Sequence, residues 1–356
     1  MKKTETSDSN QKILITKEKY DRLWNRFFYL CLALTIIGIY FMIKGVTNFR
    51  STLISLNPSY EFSKYSDFLI CIPLFFIISI IQHYSPIFLR GICEKVMKKS
   101  YRFPKTEKDR ELGEKYRIRL PIHIFKGSMY LLLTLFGYYV LTDFNYFPKS
   151  LLGKGSLPNM FIDGYPNSFY LNKPPFFDFY YMFCLSYFVS DFIWLIGEDK
   201  QTDFINMLLH HICAISLIVF SHIVNYSNVG SIVLLLHMES DIFVHSTRFL
   251  LQTEFPEIIK NISGLTLTFN FLYVRVYVLG DIIRVLYVYI TWKGVIDWFL
   301  IIFLSIIYLM HINWAIMLLQ KMFALCFGTR LYDTREYKIS INKKMKKIKE
   351  ENGHDN

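Results

Sequence analysis

The chain has 356 residues, of which 53% are hydrophobic and 18% aromatic, while only 19% are charged. An average soluble domain carries about 25% charged residues, and here the apolar residues are concentrated in blocks about twenty residues long. This distribution excludes a soluble globular enzyme, a disordered chain and a secreted disulfide-rich scaffold, and it indicates a polytopic membrane protein. The formal net charge of +11 does not indicate nucleic-acid binding, because the basic residues lie mostly in loops and tails, where they orient a membrane protein.

Eight apolar blocks are long enough to cross about 30 Å of hydrocarbon, which takes about 20 helical residues. In chain order they are 27–47, 68–89, 121–142, 176–197, 204–225, 229–247, 262–290 and 296–320. The sixth block is the weakest candidate, because it contains the polar run HMESD. The sequence therefore predicts an all-α fold, a polytopic transmembrane helix bundle of about eight spans.

The distribution of Lys and Arg predicts the orientation of this bundle. If the N-terminus is cytosolic, 30 of the 40 basic residues lie in cytosolic segments, six lie on the opposite side and the rest lie inside spans. By the positive-inside rule, both termini are expected to be cytosolic. A basic segment at 1–26 precedes the first span, and a basic tail at 326–356 is predicted to be disordered and to lie near anionic lipid.

Ionisable side chains inside the blocks need an explanation, because a charge at mid-span costs about 2.5–3.5 kcal/mol on insertion scales. The fifth block carries the adjacent pair His210 and His211 about two turns from its cytosolic end. The sixth block carries a polar stripe at helical spacing, formed by His237, Ser240, Asp241, His245 and Arg248. Glu239 lies about 200° around the helix from His237 and points elsewhere.

The fifth and sixth blocks are expected to run antiparallel through a short turn at 226–228. Their cytosolic halves then lie side by side, so that His210 and His211 can approach Asp241 at a similar depth. A histidine beside a carboxylate in a dry helix bundle is suited to proton transfer, because histidine titrates near neutrality and the carboxylate fixes its tautomer.

These polar residues also have other interpretations. A lone histidine in a membrane span is more often a hydrogen-bonding strut between helices than a catalytic residue, and this suits His83, His123 and His222. A polar stripe also serves as a proton or ion pathway in some proteins. No metal site is predicted, because the nine histidines supply none of the HxxxH and HxxHH boxes of a membrane di-iron oxygenase. Arg275 in the seventh block is expected to pair with a carboxylate such as Asp241.

A run of residues through the fifth and sixth blocks has a distinctive order and spacing. Its members are Asp203, Phe204, Met207, His210, His211, Ile212, Ser221, Asn225, Gly230, Val233, His237, Ser240 and Asp241. This run resembles the Lag1 motif of ceramide synthases within the TLC membrane domain. Weaker matches to the same family are KGSMY at 126–130, DGYP at 163–166, Phe271 with Arg275, and YLMHINW at 308–314. The resemblance covers about 68–325, which leaves an extra N-terminal span and luminal loop at 27–67 before the TLC domain.

The sequence departs from the family's pattern at several motif positions. Met238 stands where the family usually has the first aspartate of HDxSD, and His245 stands where it has a glutamate. The missing aspartate leaves Asp241 as the motif carboxylate aligned with His237. This departure keeps a non-enzymatic TLC-domain protein as an alternative.

The resemblance implies an enzyme that transfers the acyl group of a fatty acyl-CoA co-substrate to the amine of sphinganine or sphingosine, with no other cofactor. The amine arrives protonated, so the reaction needs a general base. In this interpretation one of His210 and His211 is that base or accepts the acyl group as an acyl-imidazole. His211 is favoured as the reacting group, with His210 as its supporting partner. Asp241 would orient the histidine and stabilise the imidazolium, with Ser240 as a donor, and His237 would position substrate or relay the proton.

The remaining site residues and the partners also follow from the resemblance. The residues predicted to bind substrate are Arg275, Asn225, His311 and Trp314. Basic residues of 90–119 are better placed for the phosphates of CoA. The expected partners are fatty acyl-CoA, the sphingoid base and lipid of the endoplasmic reticulum membrane, with no nucleic acid, and homo- or hetero-oligomers are left open. One alternative to the enzyme is a non-catalytic TLC-domain protein that is translocation-associated or acts in lipid sensing or transport. A second alternative is an ion or proton transporter that uses the polar stripe.

Overall fold

The computed structural model describes residues 2–56, 62–159, 173–197, 203–289 and 295–326. Within these ranges the chain is helical, with two isolated β-bridges and no strand, which confirms the predicted all-α fold. The DGYP run at 163–166 and the predicted tail from residue 327 onward lie outside the described residues.

The helices are numbered α1 to α10 in chain order. Their bounds are Lys2–Leu56 (α1), Cys71–Val96 (α2), Lys99–Arg102 (α3), Glu107–Leu141 (α4), Phe177–Gly197 (α5), Phe204–Ile223 (α6), Ser227–Leu251 (α7), Glu257–Phe271 (α8), Leu279–Tyr289 (α9) and Val295–Cys326 (α10). A π-helical segment, Leu272–Val278, joins α8 to α9 without a break. Residues 2–26 of the basic segment and the first predicted span form one helix, which no proline interrupts.

Six of these helical stretches are long and apolar enough to cross a membrane. They are Tyr29–Ser55, Tyr65–Val96, Asp109–Leu141, Phe177–Gly197, Phe204–Ile223 and Ile296–Phe323. The other two predicted spans, 229–247 and 262–290, are helical as expected but are not among the six. The first carries charged residues at its centre, and the second is divided by the π segment into pieces of 15, 7 and 11 residues.

The chain forms two compact units. The first unit contains Met1–Ile78, Val140–Val233 and Gly280–His311. The second unit contains Ser79–Tyr139, Leu234–Leu279 and Ile312–Asn356. Each unit has its own buried apolar residues. In the first these include fully buried aromatic side chains of α5, such as Tyr180 and Tyr187, and in the second Met97, Tyr116 and Leu120 pack together.

In the first unit, the residues around the α6–α7 turn form a buried polar network. His222 Nε2 donates to Asp67 Oδ2 at 3.1 Å, and His222 Nδ1 lies 3.3 Å from Ser227 Oγ. Tyr181 stacks on the His222 ring with centroids 5.6 Å apart. His222 is fully buried, so its hydrogen bonds hold the segment before α2 against the α6–α7 turn. This confirms the strut predicted for His222.

In the second unit, His123 and His245 form a second buried histidine contact. Their Nδ1 atoms are 3.1 Å apart, so one ring donates to the other, and Tyr130 stacks on His245. The strut predicted for His123 is therefore confirmed, with α7 as its partner. The strut predicted for His83 is wrong. Its side chain is exposed and makes an edge-on contact with the adjacent Tyr84, and no hydrogen bond joins it to another described helix.

Candidate active site

The motif histidines of the first unit lie on α6. His210 and His211 are both buried, at 5% and 4% exposed. Successive residues of a helix point about 100° apart. Their rings are accordingly nearly perpendicular, at 82° with centroids 5.8 Å apart, and they face different neighbours. The two histidines are therefore placed to play different parts in one site.

His211 is placed beside a buried carboxylate of the neighbouring helix. Its Nε2 lies 3.7 Å from Asp191 Oδ2 on α5, and both side chains are less than a tenth exposed. The rings of Phe188 and Phe192 lie 6.2 Å from the His211 ring, so aromatic side chains border the pair. A protonated His211 would be stabilised by Asp191, because the attraction between opposite charges is larger in an apolar interior.

Asp191 is not among the residues that the sequence predicts for the site. Two signals could have identified it as the partner of His211. A buried carboxylate in a span needs a partner, and α5 precedes α6 through a short connection, so the two helices are antiparallel. Asp191 lies six residues before the end of α5, and His211 lies seven residues after the start of α6. Each is therefore about 10 Å from the end of its helix, so the two side chains lie at a similar depth.

His210 is placed beside His311 of α10. Their ring centroids are 5.7 Å apart, and a ring nitrogen of one lies within 4.8 Å of a ring nitrogen of the other. His311 is fully buried. It was predicted to bind substrate, and the structure gives it a position from which it can relay a proton to or from His210.

In the second unit, Arg275 is surrounded by the polar stripe of α7. Its Nη2 lies 2.7 Å from Asp241 Oδ1 and donates to the His237 carbonyl oxygen at 2.9 Å. Its Nε donates to Ser240 Oγ, and its guanidinium lies over the Phe271 ring. The predicted pairing of Arg275 with Asp241 is therefore confirmed.

The position of Arg275 depends on the π segment, Leu272–Val278, at whose centre it lies. A π turn widens the helix locally, and such turns are rare and frequent at functional sites. Arg275 is 2% exposed, so its charge is neutralised by Asp241 inside the protein. Ser240 also donates to the Leu236 carbonyl oxygen at 3.2 Å, so that its proton is used by the helix backbone while its oxygen accepts from Arg275.

The other residues predicted to bind substrate are placed differently. Asn225 lies in the α6–α7 turn with a positive φ of 62°, and its Oδ1 accepts the backbone N–H of Ser63 at 3.1 Å. These contacts support a role in holding the turn. Trp314 lies on α10 in the second unit and is half-buried, and its role in substrate binding stays a prediction.

Gly230 of the motif marks the close approach of α7 to α5 in the first unit. A Cβ at this position would overlap the Tyr181 hydroxyl and lie 3.0 Å from Ser221 Oγ. Tyr181 Oη and Ser221 Oγ are 2.6 Å apart. The motif positions 221 and 230 therefore serve the packing around the α6–α7 turn. This packing holds the C-terminal end of α6, the helix that carries His210 and His211.

Comparison with known proteins matches the model of the TLC domain to residues 119–320. Human ceramide synthase 4 is 28% identical over 175 residues, which are 47% of this chain and 42% of the human protein. The Alternaria stem canker resistance protein 1 of Solanum lycopersicum is 41% identical over 58 residues, 16% of this chain and 19% of that protein. Ceramide synthase 1 LOH3 of Arabidopsis thaliana is 40% identical over 65 residues, 18% of this chain and 21% of that protein. The aligned segments thus span less than half of the length of each of these relatives.

Proposed function

The chain belongs to the TLC-domain family, whose model covers more than half of it, and on that premise we propose that it is a sphingoid-base N-acyltransferase. It would join the acyl group of a fatty acyl-CoA to the amine of sphinganine or sphingosine. The relatives named ceramide synthase support an acyltransferase of this kind. The observation that carries the proposal is the buried pair of His211 and Asp191 on helices of the TLC domain.

The chemistry requires a group that removes a proton from an ammonium ion. Once neutral, the amine nitrogen attacks the thioester carbonyl carbon, an amide C–N bond forms and the C–S bond breaks. The CoA sulfur leaves with one proton, and the nitrogen releases its second proton to water. A histidine can remove the first proton and return it to the sulfur, because its pKa is ordinarily near neutrality. His211 would hold a proton between these two steps, and Asp191 would stabilise the imidazolium.

A second route uses the same residue as a nucleophile. His211 would attack the thioester first, release CoA and hold the acyl group on a ring nitrogen until the amine arrives. His210 and His311 would then supply the base for the amine, since their rings are adjacent. Both routes give the same product, and both place His211 at the reacting atoms.

The residues of the second unit would act as a support. Asp241, Ser240 and the His237 carbonyl oxygen hold the Arg275 guanidinium. We infer that this cluster keeps α7 and the π segment in register, which in turn fixes the direction of the His237 side chain. The basic residues of 90–119 would contact the CoA phosphates at the cytosolic face of the endoplasmic reticulum, with both termini cytosolic.

The test is acyl transfer by the purified protein. The protein is incubated in detergent with sphinganine and acyl-CoAs of several chain lengths, and dihydroceramide is measured by mass spectrometry. The proposal predicts dihydroceramide and free CoA in equal amounts. Folded protein that forms no dihydroceramide with any of the acyl-CoAs would contradict it.

A specific observation favours a second candidate, a TLC-domain protein without catalytic activity. Met238 occupies the position of the family's first motif aspartate, and its apolar side chain is fully buried. Without that carboxylate, the polar stripe of α7 would serve helix packing and the ion pair with Arg275 rather than catalysis. Acyl transfer by the purified protein excludes this candidate. If the wild-type protein is inactive, the variant Met238→Asp tests whether the missing carboxylate is the cause.

A further inference from the structure

Glu239 is an acidic residue of α7 for which the proposed reaction has no use. It lies on α7 but is turned away from the stripe that surrounds Arg275. In the second unit, Glu239 Oε2 accepts the hydroxyl of Tyr138 on α4 at 3.0 Å. Its Oε1 accepts the Nδ2–H of Asn270 on α8 at 3.3 Å. Three helices therefore converge on one carboxylate.

Both partners of this carboxylate are neutral. Across the described ranges, no Lys, Arg or His side chain forms an ion pair with Glu239. Asp241, two residues away on the same helix, differs from Glu239 because it does have a cationic partner: Arg275 Nη2 lies 2.7 Å from its Oδ1. A carboxylate has about four lone-pair positions, and two of those on Glu239 are used. The remaining positions can accept hydrogen bonds from a cation that the described part of the protein does not supply.

The depth of Glu239 makes an unpaired charge costly. It is the central residue of the 25-residue helix α7, twelve residues from either end, or about 18 Å along the axis. An ionisable group so far from both ends of a helix in a membrane domain marks a functional site more often than a structural one. Glu239 is only half-buried, so a ligand can reach its carboxylate.

The side chains next to the two donors are apolar or aromatic and exposed. On α4, Leu135 and Tyr139 are 61% and 74% exposed, and next to Asn270 the Phe269 side chain is 62% exposed. Tyr273 and Tyr277 stack on each other and are also exposed. A surface of this kind is in contact with lipid chains in a bilayer, so a molecule that reaches Glu239 would arrive from the hydrocarbon and carry an alkyl chain.

We propose that Glu239 binds the ammonium group of a single-chain, membrane-dissolved amine. The ammonium supplies the missing positive charge and up to three N–H donors, of which two can reach the free carboxylate positions. Tyr138 and Asn270 fix the orientation of the carboxylate, and the exposed tyrosines contact the alkyl chain. Identifying this amine with the sphingoid base rests on the proposed function, while the amine site itself does not.

The test is equilibrium binding of radiolabelled sphinganine to the purified full chain in lipid nanodiscs. Glu239→Gln keeps the size of the side chain and removes the charge, and it is expected to raise the Kd for sphinganine about 10- to 100-fold. The matched control is Glu111→Gln, since Glu111 is exposed on α4 and pairs with Lys115. The control should bind as the wild type does. An unchanged Kd in Glu239→Gln would overturn the proposal.

A measurement on the wild-type protein does not depend on the folding of a variant. Octadecylamine and octadecanol have the same chain, and only the amine can form an ion pair. Octadecylamine should displace labelled sphinganine at a concentration at least tenfold lower than octadecanol. Equal displacement by the two would show that the chain alone is recognised and would overturn the proposal.

Kinetics separates this proposal from the proposed function. If the protein forms dihydroceramide, Glu239→Gln should raise the KM for sphinganine at least tenfold and leave the KM for acyl-CoA unchanged. Dihydroceramide formation with a wild-type sphinganine KM in this variant would refute the identification of the bound amine with the reacting sphingoid base and leave the acyltransferase intact. An inactive wild-type protein that still binds sphinganine in a Glu239-dependent manner would refute the acyltransferase and leave the amine site intact.

Discussion

Replacing Gly230 by alanine should destabilise the protein, although alanine is the better helix former. The hydroxyl of Tyr181, which is fully buried, occupies the space that the new Cβ needs. Ser221 Oγ uses its single hydrogen on the backbone carbonyl of Leu217 or Ile218, which leaves Tyr181 as the donor in the 2.6 Å bond between the two hydroxyls. Moving the phenol to admit a methyl group therefore breaks a buried hydrogen bond.

The magnitude follows from three terms. Overpacking a buried position costs about 1–3 kcal/mol. The lost hydrogen bond costs about 1 kcal/mol. The better helix propensity of alanine returns about 1 kcal/mol. Gly230→Ala should thus lower the free energy of unfolding by about 1–3 kcal/mol, and Tyr181→Phe alone by about 1 kcal/mol.

The double variant Gly230→Ala/Tyr181→Phe distinguishes the overlap from a general effect of alanine. Without the phenol oxygen, the nearest atoms to the Cβ are Ser221 Oγ at 3.0 Å and a ring carbon of residue 181 at 3.2 Å, which can yield by a few tenths of an ångström. The double variant should then be about as stable as Tyr181→Phe, a coupling of about 2 kcal/mol. Unfolding in mixed detergent micelles, followed by circular dichroism, measures all four proteins. Equal costs of Gly230→Ala in the two backgrounds would refute the overlap.

Three further predictions concern the polar clusters. Arg275→Gln leaves Asp241 without its cation and should lower the free energy of unfolding by about 3–5 kcal/mol, and the double variant Arg275→Gln/Asp241→Asn should recover part of this loss. The same unfolding titration measures both variants, and no recovery in the double variant would contradict the ion pair. Asp191→Asn removes the charge beside His211 and should lower kcat for acyl transfer at least 100-fold without loss of folded protein; an unchanged kcat would remove Asp191 from the site. Asn225→Gly allows the positive φ but loses the hydrogen bond to the backbone N–H of Ser63, which should cost about 1 kcal/mol of stability. Asn225→Ala should cost about 1–2 kcal/mol more, because alanine does not favour a positive φ, and equal stability of the two variants would contradict the strained turn.

The fold could be predicted from the sequence where the signal was a long apolar block. The six stretches with span composition all coincide with predicted spans, because about twenty apolar residues in succession have few other stable structures. The division of 262–290 by the π segment had no comparable signal. A π turn depends on tertiary contacts, here those that Arg275 makes with α7. The spacing of apolar residues along the sequence therefore does not predict where it occurs.

The candidate site could be predicted in part. The pairing of Arg275 with Asp241 followed from the cost of an unpaired charge at membrane depth, which leaves few arrangements open. The pairing of His211 with Asp191 was not predicted, because the motif contains Asp241 and not Asp191. The order of the helices does place α5, which carries Asp191, next to α6. His83 was assigned a strut by its residue type alone, and burial, which a single sequence does not give, decides that role.

A reacting role for His211 is decided by comparing dihydroceramide formation by the purified wild-type protein, His211→Ala and His83→Ala. His83 is the matched control, because it is an exposed histidine of another helix and lies outside the proposed site. His211→Ala should lower the rate at least 100-fold while remaining folded, and His83→Ala should retain the wild-type rate. A His211→Ala protein that forms dihydroceramide at the wild-type rate would show that His211 is not the reacting group.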